Sequence, residues 1–186
     1  RWKQPELPIL MAERLKSKGY EFMLDMYGSG VELERTKALA EKLGVSDVVS
    51  FKGNIPNDEI LSAMRQHEIF LFTSDKNEGW GAVTNEAMSN GCAIVASDAI
   101  GSVPFLIKNG ENGYIFKSCN LDSLCEKVET LLDNPAKRKQ FTINAYRTRC
   151  NVWSPKNAAK NFLQLVNDIQ NGTEVSIENG PCSKAY

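Results

Sequence analysis

Apolar and polar residues follow one another along this chain with two distinct periods. Short apolar runs that end in a glycine turn are typical of buried strands, and segments with apolar residues three and four positions apart are typical of amphipathic helices. The chain opens with a helix of the second kind, which the pattern places between Pro5 and Gly19. The apolar face of this predicted helix carries Leu7, Leu10, Met11 and Leu15.

Strands and helices then alternate in the predicted order. The expected strands are EFMLDMYGSG, which should be buried, DVVSFKG, EIFLFTS, CAIVAS and GYIF. The first helices between them are VELERTKALAEKLG and PNDEILSAMRQ. This alternation predicts an α/β fold with a Rossmann-like parallel sheet and helices on both faces. The last two helical segments, NPAKRKQFTINAYRTRC and SPKNAAKNFLQLVNDIQNG, are expected to brace that sheet, the second with Ser154 as its N-cap.

One domain accounts for nearly the whole sequence. The 186 residues suffice for one large hydrophobic core. We assign residues 1–172 to this domain. Residues 173–186 show no clear periodicity, and we assign them to a C-terminal tail without a function.

Composition argues against several classes of protein. Hydrophobic residues make up 42% and charged residues 24%, with 22 basic and 23 acidic side chains, so neither disorder nor nucleic-acid binding is favoured. The five scattered cysteines and the single histidine favour neither a disulfide framework nor a zinc site, and fit a reducing cytosol. We expect His67 to cap a helix end and Cys92 to lie in the core. The sequence shows no signal-peptide pattern and no apolar run near the roughly 18 residues that a spanning helix needs.

Four loops follow directly after predicted strands, where ligands bind in open parallel sheets. These loops span residues 28–30, 52–54, 77–81 and 97–102. Because the carboxyl ends of parallel strands meet at one edge of a sheet, we expect the four loops to lie along one rim.

The third loop, NEGWG, leads directly into a helix. The backbone N–H groups of Gly79, Trp80, Gly81 and Ala82 are therefore expected to point outward unpaired and to form a cradle for a diphosphate. The Trp80 side chain is placed to wall this pocket, and Glu86 lies one helical turn further along the rim. An ordinary helix start with a solvated Glu86 explains this spacing equally well.

The stretch SDKNEGWGAVTNEAMSNGCAIVASD, with seven residues between its two glutamates, resembles the hallmark of family 4 glycosyltransferases, the retaining enzymes of GT-B fold. Four other segments resemble parts of the same family in the same order: LDMYGSG, VVSFKGNIPNDEI, NGENGYIF and LCEKVETLLDNPAKRKQF. The resemblance spans roughly residues 3–170. It implies that the chain is the C-terminal, nucleotide-sugar-binding half of such an enzyme.

The resemblance also implies roles for individual residues. Glu78 matches the catalytic-site glutamate that meets the hydroxyls of the donor sugar, and Glu86 matches the one that holds the ribose hydroxyls. The amides after Glu78 match those that meet the diphosphate and sugar. The remaining implied positions are Gly28 and Gly30 on the phosphate side, Lys52, Gly53, Asn54 and Ile55 beside the nucleobase, and Lys3 as a lysine that offsets the charge of the leaving diphosphate. A loosely held terminal lysine is an equally good interpretation of Lys3.

Two departures from the family pattern affect these expectations. The family's half opens with a strand and an arginine that this sequence lacks, and since that strand is central in a doubly wound sheet, we expect a disrupted sheet centre. In DAIGSVPFLI the family has two adjacent glycines and then a glutamate, where this chain has Ile100, Gly101 and Phe105. The contacts of that loop are therefore open.

The function implied by the resemblance is hexosyl transfer from a nucleotide-diphosphate sugar to a glycan or lipid-linked acceptor. The acceptor is expected on an N-terminal half, without which this half should transfer little. No resident metal or other cofactor is implied, and envelope polysaccharide synthesis in the cytoplasm or at the inner face of the membrane is expected. One alternative is a non-catalytic nucleotide or carbohydrate-binding module. The other is a dinucleotide enzyme, suggested by YGSG after a strand. We rank it last, because Glu32 and Leu33 follow where GxGxxG requires a glycine.

Overall fold

The computed structural model describes residues 2–184 and has the α/β architecture that the alternation predicts. All five expected strands are present, and each is followed by a helix. The strands are β1 (Leu24–Tyr27), β2 (Val49–Gly53), β3 (Ile69–Phe72), β4 (Ala93–Ser97) and β5 (Gly113–Phe116). The helices are α1 (Glu6–Ser17), α2 (Leu33–Lys42), α3 (Asn57–Gln66), α4 (Val83–Ser89), α5 (Val103–Leu106), α6 (Leu121–Asp133), α7 (Pro135–Asn151) and α8 (Pro155–Asn171).

The strands form two parallel sheets rather than one. Strand β1 pairs with β2, and β3, β4 and β5 pair in that order. Within residues 2–184, no strand joins β1 to β3 by hydrogen bonds. The disrupted sheet centre expected from the sequence is therefore present as a division between these two strands.

Strand β4 is the centre of the larger sheet and is completely buried. Its alternate residues face opposite sides, as the period of two in a strand requires. Ala93 and Val95 belong to the core beneath α1 and α6, whereas Ile94 and Ala96 belong to the core beneath α4 and α5. Helices on both faces thus explain why CAIVAS reads as a continuous apolar run.

Helix α1 joins the cores of the two sheets. Leu7, Met11 and Leu15 pack in the core of the larger sheet. Ile9 and Ala12, on another side of the helix, pack in the core of the β1–β2 sheet. Because α1 is buried on two sides, it connects two sheets that share no backbone hydrogen-bond ladder in the described part of the chain.

The expectation that β1 is a buried strand is wrong. Its first three residues are half-buried and Tyr27 is exposed, because β1 has a paired strand on one edge alone. The carboxylate of Asp25 lies 3.3 Å from Nζ of Lys52 and 3.2 Å from Nε2 of His67. His67 also places Nδ1 2.7 Å from the carbonyl of Ala63, which confirms its predicted role at the end of a helix.

Helix α8 does not brace the sheet, contrary to expectation. It begins as predicted, since the Oγ of Ser154 accepts a hydrogen bond from the amide of Asn157 at 3.1 Å. Its buried side chains, however, are the polar Asn161 and Asp168, because residues 173–184 fold back on that side and Asn161 Nδ2 donates to the carbonyl of Pro181 at 2.8 Å. Its exposed apolar residues are Phe162 (56%), Leu163 (68%) and Ile169 (65%).

Cys92 lies in the core as predicted. All five cysteines have free thiols. The Sγ of Cys92 lies 3.1 Å from the carbonyl of Met64, and burial raises the pKa of the Cys92 thiol to about 11. The folded protein therefore holds this proton more tightly than the unfolded chain does, whose cysteine pKa is about 8.5. The free energy of unfolding should be independent of this group below that pH and fall, by up to roughly 3 kcal/mol, as the pH rises toward 11.

Urea unfolding at pH 8 and at pH 10.5 checks this dependence on pH. The Cys92→Ala variant is the control, because other groups titrate in both proteins alike. We expect a smaller decrease in the free energy of unfolding with pH for the variant, and equal decreases would contradict the assignment to Cys92.

Candidate functional site

The loop between β3 and α4 carries most of the predicted site. Its start is fixed to the beginning of the described chain, because the Thr73 hydroxyl donates to the carbonyl of Lys3 at 2.9 Å and the amide of Asp75 donates to the carbonyl of Trp2 at 2.8 Å. A turn follows, in which the amide of Glu78 donates to the carbonyl of Asp75 at 3.0 Å. These bonds hold Glu78 beside the residues that precede α1.

The Glu78 carboxylate is held by two partners. Lys3 forms an ion pair with Oε2 of Glu78, and the Ser74 hydroxyl donates to the same oxygen at 2.9 Å. The Glu78 side chain is 14% exposed, whereas that of Lys3 is 56% exposed and has its Nζ 5.7 Å from the centre of the Phe72 ring. Lys3 is therefore positioned at the site and is not a loosely held terminal lysine.

The backbone after Glu78 is fixed by the loop that leads into α5. The carbonyl of Gly79 accepts a hydrogen bond from the amide of Gly101, and the carbonyl of Trp80 accepts one from the amide of Ser102, both at 3.1 Å. Since these peptides are trans, the N–H groups of Trp80 and Gly81 point away from that loop. In the described chain, no atom accepts a hydrogen bond from the backbone N–H groups of residues 79–82.

Two glycines allow this arrangement. Gly81 has φ +73°, and a Cβ there would lie 2.6 Å from Cε1 of Phe72. A Cβ on Gly101 would lie 2.5 Å from the carbonyl oxygen of Gly79. The one glycine that remains in the IGSVPF segment thus stands where the Gly79 backbone approaches most closely.

Glu86 is the fourth residue of α4 and is half-buried. Its amide donates to the carbonyl of Ala82 at 3.3 Å, so its side chain follows the free amides by one helical turn. Its carboxylate has no hydrogen-bond or ion-pair partner among residues 2–184. A half-buried carboxylate without a protein partner is able to accept hydrogen bonds from a ligand.

The other predicted residues form a second group at the ends of β1 and β2. The amide of Gly28 donates to the carbonyl of Gly53 at 2.8 Å, and Asn54 Nδ2 donates to Oγ of Ser29 at 2.7 Å. Gly28 and Gly30 both have positive φ, +119° and +150°, as expected of turn glycines. Within the described residues, no hydrogen bond or ion pair links this group to the loop at Glu78.

Two members of the second group differ in their freedom to meet a ligand. The ammonium group of Lys52 is already paired with Asp25, and Ile55 is half-buried. The Lys52 amine would have to leave Asp25 to meet a nucleobase, whereas the backbone of residues 52–55 would not. Its predicted contact with a nucleobase stays a prediction.

Sequence reasoning missed two contributors to the site. Ser74 orients Glu78, and Trp153, between α7 and α8, has its ring centroid 5.5 Å from that of Trp80. No local pattern marks either residue, because both act through contacts made by the fold. No group of three or more His, Cys, Asp or Glu side chains in residues 2–184 is arranged to hold a metal.

The family of the chain follows from comparison with known proteins. Residues 1–148 match the family model described as glycosyl transferases group 1. The chain belongs to this glycosyltransferase family. Its membership agrees with the resemblance in the sequence, in which the NEGWG loop and Glu86 are the central elements.

Curated relatives of this glycosyltransferase chain are enzymes with different acceptors. It is 29% identical over 164 residues to the poly(glycerol-phosphate) alpha-glucosyltransferase of Bacillus subtilis (strain 168), which covers 88% of this chain and 23% of the relative. It is 30% identical over 115 residues to the D-inositol 3-phosphate glycosyltransferase of Streptomyces bingchenggensis, and this match covers 61% of this chain and 25% of the relative. The chain thus spans about a quarter of the length of these relatives.

Solved structures show the same fold. TarM has a TM-score of 0.79 at 23% identity, over 89% of this chain and 33% of that one. Anabaena Alr3699/HepE in complex with UDP has a TM-score of 0.75 at 20% identity, over 92% of this chain and 46% of that one. The C-terminal domain of the glycosyl transferase group 1 protein LpcC from Francisella tularensis has a TM-score of 0.70 at 27% identity, over 78% of this chain and 76% of that one. The glycosyltransferase chain is therefore a GT-B-type α/β domain.

None of the helices in the described part of this glycosyltransferase chain is long and apolar enough to cross a membrane. The longest, α7 and α8, have 17 residues each. Helix α7 carries Lys137, Arg138, Lys139, Arg147 and Arg149 and no acidic residue, and α8 is interrupted by charged and amide side chains.

Proposed function

We propose that this chain is the donor-binding half of a retaining glycosyltransferase of family 4, which transfers a hexose from a nucleotide-diphosphate sugar. The observation that carries the proposal is the Glu78 carboxylate, held by Lys3 and Ser74 directly before four free backbone amides. Hydrogen-bond donors without partners suit a diphosphate, and a half-buried carboxylate suits sugar hydroxyls. Membership in the glycosyl transferases group 1 family supports the same reading.

The Lys3–Glu78 ion pair suggests how the donor is bound. A diphosphate on the amides of residues 79–82 attracts the half-exposed ammonium group of Lys3. As Lys3 turns to the phosphates, the oxygen of Glu78 that it occupied becomes free to accept hydrogen bonds from the sugar. Lys3 and the amides then stabilise the negative charge that develops as the diphosphate leaves.

The remaining contacts belong to the nucleoside. The Glu86 carboxylate, which has no partner among residues 2–184, accepts hydrogen bonds from the ribose hydroxyls. Gly28 and Gly30 allow close approach of the phosphates, and residues 52–55 border the base. The reaction as proposed uses no resident metal or other cofactor, because amides and Lys3 supply the positive charge.

The acceptor is proposed to be bound mainly by residues outside this chain, at a cleft that this half borders. Its binding by another part of a longer protein explains why the chain spans about a quarter of its relatives' length. The acceptor is proposed to be a glycan or a lipid-linked glycan, made in the cytoplasm or at the inner face of the membrane, and the chain alone is expected to transfer little. Residues 173–186 are proposed to form a tail outside the donor-binding domain.

Calorimetric titration of the chain with UDP, GDP, ADP, UDP-glucose and NAD tests this function. We expect at least one nucleoside diphosphate to bind and Glu86→Ala to weaken it by roughly tenfold or more, because hydrogen bonds to a charged group contribute about 1.5–3 kcal/mol. Glu13→Ala is the matched control, since Glu13 is an exposed helical glutamate on α1. Tight binding of NAD without binding of any nucleotide or nucleotide sugar would overturn the proposal.

A further inference from the structure

Three aromatic rings meet beside the Glu78 loop. The ring centroid of Trp80 lies 5.6 Å from that of Phe105 and 5.5 Å from that of Trp153, and Phe105 and Trp153 are 6.4 Å apart. We call these three side chains the aromatic platform. They come from three distant parts of the chain, so the fold assembles the platform.

The aromatic platform is fixed to the same backbone as Glu78. Trp80 is two residues after Glu78, and its carbonyl accepts a hydrogen bond from the amide of Ser102. The amide of Phe105 in turn donates to the carbonyl of Ser102 at 3.1 Å. Two hydrogen bonds thus connect the backbone of Trp80 to that of Phe105, and the rings keep a defined position relative to the carboxylate.

Trp80 keeps an exposed face within this cluster. The rings stabilise the loop by their mutual contacts, and 40% of Trp80 remains exposed. Large aromatic side chains that keep an accessible face beside polar groups are typical of ligand sites. A ligand that suits both the rings and Glu78 presents an apolar face and hydroxyls together.

A pyranose ring has this combination of surfaces. Its axial C–H groups form an apolar face with a slightly positive charge, which suits the negative face of an aromatic ring. Its hydroxyls lie around the edge of the ring, where a carboxylate such as Glu78 accepts hydrogen bonds. A nucleobase or a diphosphate lacks one or the other of these properties.

We propose that the aromatic platform stacks against the pyranose ring of a sugar bound at Glu78. The inference rests on the proposed function, since it assumes that Glu78 meets a sugar. The sugar comes either from the donor or from the acceptor, and both offer the same C–H face. Phe105 and Trp153 contact the Trp80 ring and hold it in place.

The test uses Trp80→Leu and Trp80→Phe in the 186-residue chain, titrated with UDP, UDP-glucose and methyl α-glucoside. If the donor sugar stacks, Trp80→Leu raises the ratio of the Kd for UDP-glucose to the Kd for UDP by about tenfold, and Trp80→Phe restores most of it. If the acceptor sugar stacks, the same variant weakens methyl α-glucoside by a similar factor and leaves that ratio unchanged. Both outcomes support the platform and identify the source of the sugar.

Controls separate the platform from the proposed function and from folding. Tyr146→Leu removes an exposed aromatic ring on α7 and should change neither quantity. If Trp80→Leu fails to fold by circular dichroism, Trp153→Leu and Trp153→Phe provide the same comparison. An unchanged ratio and an unchanged glucoside affinity in folded variants would overturn the platform, whereas absence of nucleotide binding by the wild-type chain would overturn the proposed function instead.

Discussion

Glu78→Gln is expected to lower kcat/KM for sugar transfer by the full-length protein roughly hundredfold, because each hydrogen bond from a sugar hydroxyl to a charged acceptor contributes about 1.5–3 kcal/mol. Stability should change far less. Lys3 is 56% exposed and remains hydrated without its partner, and the amide oxygen of Gln still accepts from Ser74. We therefore expect the free energy of unfolding to stay within about 1 kcal/mol of the wild-type value.

Steady-state kinetics with varied donor and urea unfolding of the same variant measure the two quantities. Glu13→Gln makes the same chemical change on the exposed side of α1 and should leave both quantities near the wild-type values. A variant with normal transfer would show that Glu78 serves only to hold Lys3. A loss of several kcal/mol in stability would show that the ion pair is mainly structural.

Gly81→Ala is expected to destabilise the folded chain by about 3 kcal/mol, because two costs combine at this position. An alanine at φ +73° enters the left-handed region, which costs about 1–2 kcal/mol. Its Cβ would also lie 2.6 Å from the ring of Phe72, a core residue of β3, so strand and loop must separate. Overpacking of this kind costs about 1–3 kcal/mol.

Gly79→Ala is a control in the same loop. A Cβ on Gly79 meets no atom within 4 Å, and its backbone lies outside the left-handed region. Its free energy of unfolding should therefore match that of the wild type or exceed it slightly. Chemical denaturation of both variants checks the difference, and equal stabilities would show that Phe72 moves aside without cost.

Much of the fold was predictable from local patterns. The strand and helix periods located every strand of the described chain, and Gly19 and Gly44, both at positive φ, follow α1 and α2 as expected. The division of the sheet also followed from the sequence, since the resemblance implies a central strand that these 186 residues do not contain. Patterns of this kind are local, so one sequence is enough to detect them.

The errors concern burial, which depends on neighbours. The apolar run that leads into β1 resembles that of a buried strand, but β1 has one paired edge within residues 2–184 and stays half-exposed. The apolar residues of α8 have a clear helical period, and that period shows which residues share a face without showing what covers it. Phe162 and Ile169 are exposed because the tail covers the opposite, polar face.

The places of the candidate residues in the fold were predictable, and their contacts were not. The loop after β3 and the two glutamates could be located from the glycines and from the resemblance. The ion pair between Lys3 and Glu78, and the contact of Gly101 with Gly79, join residues far apart in the sequence. Such pairs are set by the order of the strands, which the amino-acid pattern of either segment alone does not contain.

The position of α1 between the two cores has a consequence for how the molecule opens. Since no hydrogen-bond ladder joins β1 to β3 within residues 2–184, α1 is the element of this part of the chain whose loss would separate two cooperative units. Lys3 lies just before its first turn, and its carbonyl is bonded to Thr73. A ligand that holds Lys3 therefore also restrains α1, the helix that couples the two units. Ligand binding should suppress the separation of these units more than it suppresses local opening elsewhere.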